Sequence, residues 1–206
     1  MNNKNKNKKN KGLKSSRIAI YSAIFIIILI IGLYFVLSNS NNVGVAVGDI
    51  APNATFTLIN GTKINLYNFH GKYVLLYFIV TWCETCAEGL HILSQIIPTL
   101  ASKNITVVVV ESYNDLGYQG IPLNEFIKSY ANSNITFYYG YATLAMTKEY
   151  NPKGYLDIYY LISPSGKIIY KNTNFPFTYP SLLNFINNNI NNDPIQSDST
   201  LNKNCC

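Results

Sequence analysis

Charge and cysteine are both scarce in this 206-residue chain: 13% of residues are charged and four are cysteine. Cys83, Cys86, Cys205 and Cys206 are too few and too clustered for a disulfide-stapled scaffold. The net charge of +6 does not mark a basic domain, because seven of the sixteen basic residues precede residue 18, with no acid among them. From residue 18 onward nine lysines meet all ten acids, one net negative charge, which excludes the basic face that nucleic-acid binding requires. No internal repeat is present.

One segment lacks charge altogether. Residues 18–37, "IAIYSAIFIIILIIGLYFVL", form a twenty-residue apolar run, long enough to span a bilayer core at about 1.5 Å per residue. The basic stretch 1–17 before it reads as a cytoplasmic tail, so the chain beyond residue 37 is expected outside the cell. The run exceeds a usual signal core and no small-x-small cleavage site comes after it, which points to an uncleaved anchor. Residues 38–44 read as a linker, 45–192 as one domain and 193–206 as a polar tail. Sequons at Asn53, Asn60, Asn104 and Asn134 are candidate glycan sites on an exported domain, in a chain rich enough in asparagine to produce them by chance.

Within the domain, residues 45–71 suggest an extended segment and a hairpin turning at Asn60-Gly61. "KYVLLYFIV" (72–80) and "ITVVVVES" (105–112) are continuous β-forming runs, the pattern of strands buried on both faces. Between them Leu90, Leu93, Ile96, Ile97 and Leu100 recur at helical spacing, with a kink expected at Pro98. "IPLNEFIKSYA" and "TLAMTKEY" read as helices flanking a short strand "ITFYYG", and 157–171 as a hairpin turning at Pro164-Ser165-Gly166. "SLLNFINNNI" closes with Leu182, Leu183, Phe185, Ile186 and Ile190 on one face. Alternating strands and helices, then a terminal hairpin and helix, give the α/β class around one mixed sheet.

The chemistry concentrates in "TWCETC". A buried strand, Trp82, Cys83, two residues, Cys86 and a helix place Cys83 at a helix N-terminus, where free N–H groups and the dipole favour a thiolate. Cys86 falls one turn further in, less exposed and within disulfide reach. An exposed thiol backed by an inner partner suits thiol–disulfide exchange, the first sulfur attacking and the second resolving. A metal half-site and a structural bridge remain open on these residues alone, although an aromatic flank such as Trp82 suits a reactive pair with a substrate.

"VGDIAPNATFTL", "GKYVLLYFIVTWCETC" and "YYLISPSGKII", in that order behind one anchor, resemble the TlpA/ResA-type branch of the thioredoxin superfamily over roughly residues 45–190. The resemblance implies a thioredoxin-like fold and an extracytoplasmic Cys83–Cys86 dithiol acting, more as reductant, on cysteine pairs of exported proteins. It also implies an upstream electron donor or acceptor, membrane attachment through a single helix, and no cofactor, metal or nucleic acid. Trp82, Glu84, Thr85, Glu88 and Asp157 are the expected site-shaping residues, with Tyr155 to Asp157 facing the sulfurs. Thr85 stands where the family often has proline, and Asp157 where it usually has a cis-proline, for which a trans bond or a different loop is expected. The superfamily's buried acids fall at Tyr77 and Gly89, so Glu84 or Glu88 becomes the proton acceptor, unless both are solvated carboxylates at a helix start. A Sco-type copper protein is the rival reading. Its cysteines are spaced by three rather than two, its histidine aligns with Tyr155, His91 is expected on the wrong side of the helix, and His70 in a surface loop. A peroxiredoxin site needs an arginine, and Arg17 is the only one. The terminal Cys205-Cys206 resembles a prenylation signal, which a tail outside the cell excludes.

Overall fold

The computed structural model describes residues 20–21, 24–32, 42–134 and 136–190. Residues 20–21 and 24–32 are helical and exposed, and no helix among the described residues is long and apolar enough to cross a membrane. The rest of the 18–37 run, most of the linker, residues 1–17, the tail from 191 and Cys205-Cys206 lie outside the described residues.

The unit from Val43 onward is built on one seven-stranded sheet. Its elements are β1 (Thr55–Leu58), β2 (Lys63–Asn65), β3 (Tyr73–Ile79), α1 (Glu84–Ser102), β4 (Ile105–Glu111), α2 (Leu123–Tyr130), β5 (Tyr138–Ala142), α3 (Leu144–Tyr150), β6 (Ile158–Ile162), β7 (Ile168–Thr173) and α4 (Phe175–Asn189). The strand order is β2-β1-β5-β4-β3-β6-β7. β3, β4 and β5 run parallel, joined by helical crossovers, and the flanking pairs are antiparallel hairpins or returns. The expected mixed sheet with flanking helices is therefore present, and both hairpins turn where Asn60-Gly61 and Pro164-Ser165-Gly166 fall.

The continuous apolar runs sit at the centre of the sheet because both of its faces are covered. Alternation along β3 divides them: Leu75, Tyr77 and Ile79 join Val107, Val109, Tyr159 and Leu161 under α1, α2 and α4. Val74, Leu76 and Phe78 join Val108, Val110, Ile158 and Tyr160 on the opposite face, with Phe56, Phe69, Met146 and Tyr150. Each fully buried side chain of this size contributes about 1.5–3 kcal/mol.

α1 continues for four residues past Pro98, in keeping with the helical spacing read through Leu100. Two elements differ from the sequence reading. β5 lies at Tyr138–Ala142, ending two residues later than "ITFYYG", and pairs with β4 through Val108↔Tyr138 to Glu111↔Tyr141. α4 begins at Phe175, six residues before "SLLNFINNNI". Pro176 is tolerated because the first turn needs no N–H donors. The start is fixed from outside the segment: the buried carboxylate of Asp157 accepts the N–H groups of Asn174 and of Phe175, the latter at 3.1 Å.

Candidate active site

Cys83 is the N-cap of α1, in extended conformation (φ −102°, ψ 121°) with no side-chain cap of its own. Extended backbone at this position turns the chain from β3 into the helix and leaves the first N–H groups of α1 facing the sulfur. Its Sγ lies 3.0 Å from the hydroxyl of Thr85. Hydrogen bonding from the Cys86 thiol, the Thr85 hydroxyl and the Cys86 and Thr85 backbone N–H groups outweighs desolvation and pulls the Cys83 pKa down to about 5. The expected thiolate is there, but not the exposed sulfur: Cys83 is only 6% exposed and opens into a groove.

Cys86, one turn inward, is wholly buried and donates to the carbonyl of Leu156 at 3.3 Å. Its bond to Cys83 and its burial raise its pKa far above that of a free thiol, so it holds its proton at neutral pH. No disulfide joins Cys83 and Cys86 in this structure. One sulfur is ionised and reachable through a groove; the other is protonated and enclosed.

The turn before Cys83 is clamped by a residue the sequence reading missed. Asp115, itself buried, accepts the Thr81 N–H at 2.9 Å and the Thr81 hydroxyl at 2.7 Å, and its backbone carbonyl accepts the Trp82 indole N–H at 2.9 Å. Asn114, Asp115 and Leu116 all hold positive φ (50°, 48° and 58°), an arrangement uncommon outside glycine and consistent with a loop shaped around these bonds. A Cβ at Gly120 would collide with Thr81 Oγ1 and stand 2.6 Å from Asp115 Oδ2, so only glycine fits against the clamp. Tyr118 packs on Trp82 with ring centroids 4.9 Å apart. The available signal was an acid just past a buried β-run, with Gly117 and Gly120 close behind it.

The other expected site residues separate. Trp82 is half-buried and lines a groove of about 450 Å³ with Cys83, Glu84, Glu88, Ile121 and Phe126. Glu84, Thr85 and Glu88 are exposed at the start of α1, so the two acids stand as solvated carboxylates at a helix start. Asp157 is brought to the site and buried. Burial raises its pKa, opposed by the Asn174 and Phe175 N–H groups, and the described residues contain no cis peptide bond. Of 155–157, Leu156 meets Cys86 through its backbone carbonyl and Asp157 is buried near the sulfurs, whereas the side chains of Leu156 and Tyr155 are exposed, the Tyr155 backbone being held by Asn151 at 2.8 and 2.7 Å.

Beneath the sulfurs, Tyr77 is fully buried and its hydroxyl has no hydrogen-bond partner. Desolvation and then the charge of Asp157 hold that hydroxyl's pKa well above the ordinary tyrosine value. Gly89 makes room for it: a Cβ there would lie 2.5 Å from Tyr77 Oη. His91 stands on the wall of the Cys83 groove with its ring 2.9 Å from Gln95 Nε2. His70 is exposed, as expected. Among the described residues no three His, Cys, Asp or Glu side chains group as metal ligands.

The profile of the family described as Redoxin matches residues 46–178. The thiol-disulfide oxidoreductase ResA of Bacillus thuringiensis subsp. konkukian is 31% identical over 84 residues, 41% of this chain and 46% of that protein, so the chain spans about half the length of that relative. ResA of Bacillus subtilis is 28% identical over 159 residues, 76% of this chain and 84% of that protein. Among solved structures, a thiol:disulfide interchange protein from Bacteroides sp. superposes with TM-score 0.54 at 24% identity, covering 69% of this chain and 91% of that one. BsSco, a member of the Sco family of cytochrome c oxidase assembly proteins, gives TM-score 0.53 at 16% identity, covering 71% and 96%. At these identities the two structures show the fold, which is thioredoxin-like.

Proposed function

We propose a function from the premise that this chain belongs to the Redoxin family: it is a thiol–disulfide oxidoreductase working through Cys83 and Cys86. The observation that carries the reading is the division between the two sulfurs, one a stabilised thiolate at a helix cap opening on a groove, the other a buried thiol one turn behind it. The Cys83 thiolate attacks a disulfide in a partner protein, releasing one partner thiolate and forming a mixed disulfide. Cys86 then attacks Cys83 Sγ, the mixed disulfide breaks, and the second partner thiolate leaves. Two electrons pass from the dithiol to the partner, and a dithiol donor upstream restores the reduced pair.

The partners are cysteine pairs of exported proteins. The basis for this is the reading of residues 18–37 as a single-pass anchor, with residues 1–17 in the cytoplasm and the domain outside. Reduction is the direction the family resemblance favours, whereas the stabilised Cys83 thiolate itself stabilises the dithiol and pulls the pair toward an oxidant, so direction turns on the potential. The reduction potential of the pair tests direction: about −270 mV marks a reductant and about −120 mV an oxidant.

Insulin reduction by the full chain is the activity test. Cys83→Ser is expected to abolish it, and Cys86→Ser to leave a covalent Cys83–partner adduct that accumulates. A Cys83→Ser variant as active as the parent removes this reading. Alkylation of Cys83 by iodoacetamide is expected to rise with pH through a midpoint near 5 and then level off, tracking the thiolate.

A further inference from the structure

The buried thiol poses a chemical problem that the geometry answers. Cys86 must lose a proton to attack, yet it is wholly buried, its sulfur stands 3.3 Å from the Leu156 carbonyl, and its hydrogen bond to Cys83 and then its burial raise its pKa. Glu84 and Glu88, the acids nearest in sequence, face solvent. A different carboxylate is buried close to Cys86 in the fold. Asp157 comes directly after the residue that Cys86 bonds, is 5% exposed, and is fixed by the N–H groups of Asn174 and Phe175. Phe175 also packs on Tyr77 with ring centroids 5.0 Å apart, and Gly89, on the turn after Cys86, is in contact range of Tyr77 Oη, Phe175 and Pro176. Asp157, Tyr77 and the start of α4 are thus packed together beneath the sulfurs.

We propose that Asp157 is the general base that takes the Cys86 proton in the resolving step, with the unpartnered Tyr77 hydroxyl tuning the carboxylate as a positioning residue. The proposal rests on the thiol–disulfide exchange reading above. The step balances: Cys86–SH gives its proton to the Asp157 carboxylate, and the Cys86 thiolate attacks Cys83 Sγ. The Cys83–partner S–S bond breaks, and the partner leaves as a thiolate that is protonated from Asp157 or solvent. The groups that bear on Asp157 are Cys83 at the N-cap of α1, Cys86 on α1, Tyr77 on β3, Tyr159 on β6 and the backbone N–H groups at the start of α4. Burial raises the Asp157 pKa and makes its carboxylate a stronger base than a solvated one, opposed by the hydrogen bonds from the Asn174 and Phe175 N–H groups. A hydroxyl with no other partner is free to turn its proton toward that carboxylate, which explains a buried polar atom otherwise left at a cost of about 1–3 kcal/mol.

The experiment uses the full chain with Cys205 and Cys206 replaced by serine and oxidised glutathione as the disulfide. Formation of the Cys83–glutathione adduct and its resolution by Cys86 are monitored by acid quench and mass spectrometry between pH 4 and 9. In Asp157→Asn, which keeps an acceptor oxygen for α4, resolution is expected to slow about 100-fold at neutral pH and to lose its acid limb, with iodoacetamide alkylation of Cys83 still fast. In Tyr77→Phe the carboxylate loses a donor, and the acid limb is expected to move to higher pH. Resolution at the parental rate with the parental pH profile in Asp157→Asn overturns the proposal. Should that variant not fold, an unmoved limb in Tyr77→Phe overturns it instead. A parent chain that never forms the glutathione adduct overturns the exchange reading itself, a distinguishable result.

Discussion

The two faces of the sheet treat buried tyrosines differently. On the face away from the dithiol, Tyr150 donates to the Pro52 carbonyl at 2.5 Å and Tyr160 to the Tyr150 carbonyl, so each hydroxyl ties distant backbone together. On the dithiol face Tyr159 is paired with Thr178 at 2.7 Å, but Tyr77, equally buried, is paired with nothing. Ser112 Oγ, just past β4, is the other unpartnered buried side-chain oxygen among the described residues. A folded chain satisfies such atoms where only stability is at stake. The contrast separates a face whose polar atoms build structure from one where a polar atom is kept available beside reactive sulfur.

Gly89→Ala strikes the contrast hardest. The new methyl group meets Tyr77 Oη at 2.5 Å, Pro176 at 3.3 Å and Phe175 at 3.5 Å, and a loss of about 1–3 kcal/mol in urea unfolding is expected. Tyr77→Phe in the same chain removes the closest clash and should recover most of that loss; equal loss in both backgrounds would show that the hydroxyl does not fill this space. Tyr160→Phe sharpens the comparison on the far face. It leaves the Tyr150 carbonyl without its donor and is expected to cost about 1–2 kcal/mol. Tyr77→Phe alone gives up only the hydroxyl's approach to Asp157, with no formed hydrogen bond to lose, and should stay within about 0.5 kcal/mol of the parent. Matching losses in the two single variants would erase the distinction between the faces.

The smallest expected effect lies at the edge of the dithiol face. Burial, then the nearby Asp115, raises the Glu111 pKa to about 7. A carboxyl raised in the folded state stabilises fully below its unfolded pKa of about 4.3, and that contribution fades as pH climbs through about 7. Glu111→Gln is therefore expected to be more stable than the parent at pH 8, by up to about 1 kcal/mol after screening, and closer to it at pH 4. Thermal unfolding at the two pH values checks the sign.

The framework was legible because its signals are local. "KYVLLYFIV" and "ITVVVVES" announce doubly covered strands, Asn60-Gly61 announces a hairpin, and a tryptophan and two cysteines between a strand and an amphipathic run announce a thiol at a helix cap. What escaped depends on partners remote in the chain. Asp115 reaches back 34 residues to Thr81 through a loop whose positive φ values fall on non-glycine residues. The start of α4 is set by Asp157, 17 residues earlier, so the helix-forming pattern alone placed it late. Glu84 and Glu88 look promising by proximity in sequence, yet a helix start points such side chains to water. Asp157 was visible as a departure from a family pattern, but its burial and its hold on α4 were not.

The chain's one tryptophan is held by Asp115, packed on Tyr118 and adjacent in sequence to Cys83. Indole emission is sensitive to nearby sulfur chemistry, so the molecule carries its own optical gauge. A change in fluorescence on passing from dithiol to disulfide can be read from this single ring, without a dye and without a background from other indoles.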